Sequence, residues 1–116
     1  MRTNQAPQAF VRPNGDGYDL SPAAVLLMAA DALYGDPSKT TPQGRKNAQA
    51  VVEGLIAAAI AGGYKQADIL QTKLSQRNAG KDVIVMAMNA MRTAGNQRVF
   101  AALANAGLRP DNQPPQ

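Results

Sequence analysis

The 116-residue chain contains no histidine, no cysteine and no tryptophan. Histidine is the side chain that titrates near neutral pH and the commonest metal ligand. Cysteine is the usual thiolate nucleophile and soft-metal ligand. Without them, Ser-His and Cys-His catalytic arrangements, zinc sites and thiol chemistry are excluded. Zero cysteine also rules out a disulfide scaffold, and it is otherwise neutral between a cytosolic, a virion and a secreted protein. Aromatic residues are scarce, with two Phe and three Tyr, and none is placed to stack on single-stranded bases. No apolar run approaches the ~20 residues that span a bilayer. Residues 1–8 are polar and lack the apolar core of a signal peptide. The expectation is a soluble protein, with the cytoplasm the favoured compartment. The polar leader, with no acid before Asp16, leaves a non-cleaved secretion signal open.

What is present is Leu, Val, Met, Ile and much alanine, a composition that suits helices packed closely backbone to backbone. Proline and glycine divide the chain. Ser21-Pro22 and Thr41-Pro42 each read as an N-cap followed by a first-turn proline. Gly35-Asp36-Pro37, Gly62-Gly63, Gly80, Gly95 and Gly107 read as stops. Five helices follow, at about 22–34, 42–61, 65–78, 81–94 and 97–106. Asn96 is expected to cap the last, and Leu108 occupies the position of a Schellman motif's apolar contact. No segment reads as a strand; Val83-Ile84-Val85-Met86 is β-prone but runs on without a breaker. The expected fold is therefore all-α, a compact bundle spanning residues 20–108. Residues 1–19 and 109–116, rich in Pro, Asn, Gln and Gly, are expected to be flexible tails. The two halves of the domain do not repeat each other.

In the second helix Ala48, Val51, Val52, Leu55, Ile56, Ala59 and Ile60 recur at helical spacing, opposite Arg45, Lys46, Gln49 and Glu53. The first helix is apolar almost all round, with Asp31 its only charge, and Leu27 and Tyr34 lie opposite the Val25, Ala29 and Leu33 face, so it is expected to be central or to contact a second layer. In the fourth, Ile84, Met88 and Met91 form one stripe, Val83 and Ala87 widen it, and Val85 and Met86 fall outside it.

Net charge is +4, from twelve basic and eight acidic side chains. Residues 1–63 balance, and the excess lies in Lys65, Lys73, Arg77, Lys81, Arg92, Arg98 and Arg109 against Asp68, Asp82 and Asp111. Such asymmetry points to an acidic partner or nucleic acid, or to a solvated surface that confers solubility.

Few motifs survive a chemical reading. Asn14, Asp16 and Gly17 match positions three, five and six of an EF-hand loop. However, Arg12 and Ala23 stand where the first and the bidentate ligands belong, so a turn is expected instead. Gly35-Asp36-Pro37-Ser38-Lys39-Thr40-Thr41 lacks the second glycine and the preceding strand of a phosphate loop, and reads as an interhelical connection ending in an N-cap. The close carboxylates, Asp16 with Asp19 and Asp31 with Asp36, sit mostly in turns where no facing acid–base pair is formed. No metal and no cofactor is expected.

Two functions fit. The first is a non-catalytic protein acting through protein–protein contact (an adaptor, assembly, host-interaction or virion-associated factor). It would use Val85, Met86 and Met88 of the Met-rich fourth helix, either on another protein or on a second copy of itself as a homodimer. The alternative is nucleic-acid binding by the basic second half. There Ala67, Leu70 and Leu74 face the core and Lys65, Gln66, Lys73 and Arg77, with Lys81, are offered to DNA.

Overall fold

A computed structural model describes residues 17–18 and 21–110. Helix α1, Pro22–Tyr34, begins where Ser21 is extended and its Oγ accepts the Ala24 N–H at 3.2 Å. Pro22 fills the first turn, where an N–H would have no partner. Helix α2, Pro42–Ala61, starts the same way, with Thr41 Oγ1 accepting the Gly44 N–H at 2.9 Å. Between them Asp36 accepts both the backbone N–H of Ser38 (3.0 Å) and its hydroxyl (2.9 Å), which sets a 3₁₀ turn at Pro37–Lys39. The Arg45 guanidinium donates to the Pro37 carbonyl at 3.1 Å and ties this turn to α2. The Gly35–Thr41 segment is thus a capped connection, as its residues imply.

Helix α3, Ala67–Ser75, is shorter than the expected 65–78. At its start the chain is still leaving α2 through a Schellman closure. Gly63 (φ +98°) donates to Ile60 and Tyr64 to Ala59, both at 2.9 Å. Lys65 and Gln66 are therefore turn residues, and no side chain caps α3. A second closure ends it, with Arg77 donating to Leu74 and Asn78 to Lys73, both at 3.0 Å. Helices α4, Lys81–Ala94, and α5, Asn96–Asn105, are joined by the single residue Gly95 at φ +87°, ψ 148°. Asn96 is the first residue of α5 rather than its side-chain cap, because Gly95 already takes the capping position. Gly107 (φ +87°) and Leu108 end α5 as a Schellman motif, the Leu108 N–H donating to Leu103 at 2.8 Å with the Leu108 side chain buried.

These five helices are the architecture of the described residues, with one minor addition. Gly17–Tyr18 (β1) pairs in parallel with Arg109–Pro110 (β2), in the register Gly17 with Arg109 and Tyr18 with Pro110. This two-residue pairing leaves the all-α architecture unchanged. The rest of the expected tails lies outside the described residues, as do Asn14 and Asp16 of the turn before α1.

Helices α1 and α2 form the centre. α1 packs on α2, α3, α4 and the 3₁₀ turn, and α2 also meets α3, α4 and α5. Leu26, Leu55, Leu70, Leu103, Val51, Val52, Val83 and Val99 are fully buried. Alanines 29, 48, 59, 87, 90 and 94 are fully enclosed beside them, and their small side chains let helix backbones come close. One such close approach is at Gly62. A Cβ there would lie 2.7 Å from the Ala94 Cα and overlap the Thr93 carbonyl oxygen, so the end of α2 meets the end of α4 across bare backbone.

Candidate interaction surface

The face that α4 turns inward is Val83, Ala87, Ala90, Met91 and Ala94. The larger stripe of Ile84 and Met88 expected beside Met91 is outside: Ile84 is 43 % exposed and Met88 48 %. The physical reason is the density of the bundle. α4 lies against both α1 and α2, and the alanines at 87, 90 and 94 let its backbone come close on that side, so that face is turned inward and Ile84 and Met88 are left out. Val85 joins the outward pair at 52 % exposure. Met86 does not: it is half-buried and packs on the core. Its position, one turn before Ala90 on the side of the helix next to the inward face, turns it to the bundle.

Lys81, Ile84, Val85, Met88 and Arg92 are all exposed. Their spacings of three and four residues make them successive neighbours along one side of α4. Three apolar side chains are therefore bracketed by a cation at each end over about three helical turns, on the order of 16 Å. Among the described residues two further large apolar side chains are exposed, Ile69 on α3 (50 %) and Ile60 at the end of α2 (54 %). Ile60 shares the apolar spacing of α2 but lies outside the core. The buried face of α2 instead closes with Ala58 and Ala59.

The basic residues considered for nucleic acid are not gathered on one helix face. Lys65 and Gln66 precede α3, Arg77 follows it in the left-handed conformation (φ 58°), and Lys81 opens α4. Lys73 is on α3 but donates to Asp82 of α4 at 3.0 Å. That hydrogen bond holds the Asp82 carboxyl below its ordinary value, reinforced by the charge of Lys73 and by backbone N–H groups. Ala67, Leu70 and Leu74 face the core as the spacing implies.

Elsewhere, Asp31 and Asp36 are both exposed, and Asp36 is lowered chiefly by the Ser38 backbone N–H and then by its hydroxyl. The Tyr64 phenol is raised by burial, and its hydroxyl and Thr40 Oγ1 are enclosed without a hydrogen-bond partner among the described residues. Among those residues no group of three or more Asp or Glu could hold a metal ion. Among the described residues no helix is long and apolar enough to cross a membrane. Comparison with protein-family models, curated proteins and solved structures gives no match.

The sequence names Val85 and Met88 of this stripe and leaves out Ile84. The signal that finds it is the run of alanines at 87, 90 and 94. These share a face with Val83 and leave Ile84, Val85 and Met88 on the other.

Proposed function

We propose that this chain is a non-catalytic binding protein whose α4 carries the contact surface for a partner protein. The observation that supports this reading is the outward trio Ile84, Val85 and Met88 on a helix that already contributes five buried residues to the core. Folding does not call for these side chains, and exposed apolar residues clustered on one side of a helix suit a protein contact. The nucleic-acid reading has less support, since Lys73 is engaged by Asp82 and Lys65, Gln66 and Arg77 lie off the helix.

The test is comparative capture from the native source with the wild-type chain and with the double variant Val85→Ser, Met88→Ser, with circular dichroism as the check on folding. A protein retained by the wild type at high salt and lost from the double variant is the expected result. Retention of nucleic acid that the double variant leaves intact and that falls steeply with salt overturns it.

A further inference from the structure

We infer that the α4 stripe takes an acidic amphipathic segment of another protein, and not a second copy of this chain. This rests on the proposed function and adds the chemistry of the occupant. The inference comes from the ends of the stripe. Lys81 lies one turn before Ile84 and Val85, and Arg92 one turn after Met88; all are exposed. Neither cation has an ion-pair partner among the described residues, where the one such pair is Lys73 with Asp82. Lys81 is also the first residue of α4, where the helix dipole disfavours a positive charge. Its local position therefore gains nothing from the helix it belongs to, and a carboxylate supplied from outside would correct that.

The same ends oppose self-association. If α4 packed on its copy antiparallel, Lys81 would stand beside the Arg92 of the other helix. If it packed parallel, each cation would stand beside itself. Both registers juxtapose like charges with no acid in the stripe to relieve them. Three half-exposed side chains also fall well short of the ~800 Å² per partner of a stable interface. An amphipathic helix with apolar residues at i, i+3, i+4 and i+7 and glutamates at both ends matches the spacing and the charge together.

The probes are two synthetic helical peptides with one leucine stripe, flanked by glutamates in the first and by lysines in the second. Binding to the full chain is followed by methyl chemical shifts and by fluorescence anisotropy at low and high salt. The acidic peptide should shift the methyls of Ile84, Val85 and Met88 and bind on the order of tenfold tighter than the basic one, a preference that salt suppresses. The double variant Lys81→Glu, Arg92→Glu should invert the preference. Equal binding of both peptides at this face overturns the charge inference and leaves the proposed function standing. No shift at these methyls with either peptide overturns both. Sedimentation equilibrium should show a monomer; a dimer abolished by Met88→Asp overturns the inference in favour of a second copy.

Discussion

The ammonium of Lys73 on α3 and the carboxylate of Asp82 on α4 meet at 3.0 Å, across the connection that holds the only non-glycine residue of positive φ among those described, Arg77. The pair fixes the start of α4 against the end of α3. Its side chains are partly open to water, at 29 % and 57 % exposure, so its contribution is screened by salt. The folded Asp82 carboxyl titrates below its ordinary 3.8, from the Lys73 hydrogen bond first. A lowered carboxyl stabilises the fold above its unfolded value. That contribution shrinks as pH falls below 3.8 and is gone beneath the folded value. Asp82→Asn should therefore lower the urea midpoint at pH 7 and low salt, and equal the wild type at the acid end. A midpoint difference that persists unchanged at the lowest pH would contradict this.

Arg77 is held at φ 58° because the two hydrogen bonds that close α3, from Arg77 and Asn78, require a left-handed residue between them. For a side chain with a Cβ that conformation costs about 1–2 kcal/mol. Glycine relieves it, at some loss through its freer unfolded chain. Arg77→Gly should raise stability by about 0.5–1 kcal/mol, and Arg77→Val should lower it. Chemical denaturation of the three proteins gives the order directly.

The punctuation of the fold was readable because caps are local chemistry. Ser21, Thr41, Gly63 and Gly107 each do their work through hydrogen bonds to residues three to five positions away. Arg77 was not readable, since its conformation is imposed by the closure around it and not by its own preference. The face of α4 was misread for a different reason. Helical period alone fits both the Ile84, Met88, Met91 stripe and the Val83, Ala87, Ala90, Ala94 stripe, which lie about a quarter-turn apart. What selects between them is how near α1 and α2 come to α4, a tertiary fact. The candidate site has the same limit: Val85 falls outside the Ile84, Met88, Met91 stripe by spacing alone, while Ile84 and Arg92 join the surface only once the inward face is known.

Gly62 and Gly54 lie on one helix end and one helix interior, and the same substitution should have opposite signs. Gly62 has ordinary helical dihedrals (φ −80°, ψ −5°), so alanine is opposed there only by the backbone of Thr93 and Ala94. Gly62→Ala should cost about 1–3 kcal/mol by forcing α2 and α4 apart. At Gly54 a Cβ would stand 3.5 Å from that of Ala102, an ordinary contact. Gly54→Ala should stabilise by about 0.5–1 kcal/mol through helix propensity. Thermal or urea unfolding of both variants tests the pair, and a Gly62→Ala that is as stable as the wild type or more so would show that the α2–α4 contact yields freely.

Leu55 and Ile60 test whether burial or hydrophobicity fixes the energetics of α2. Both are large and apolar on one helix, but Leu55 is fully enclosed while Ile60 is 54 % exposed. Leu55→Ala removes three carbons from a site closed on all sides and leaves a void, so a loss of about 2–5 kcal/mol is expected. That is a large share of the 5–15 kcal/mol total, on the order of magnitude typical of small domains. Ile60→Ala leaves no cavity and adds a better helix former, so its stability should stay within about 0.5 kcal/mol of the wild type. Ile56, 4 % exposed, should follow Leu55. A loss at Ile60 as large as at Leu55 would mean that the end of α2 is covered in solution and that the face turned outward here belongs to the core.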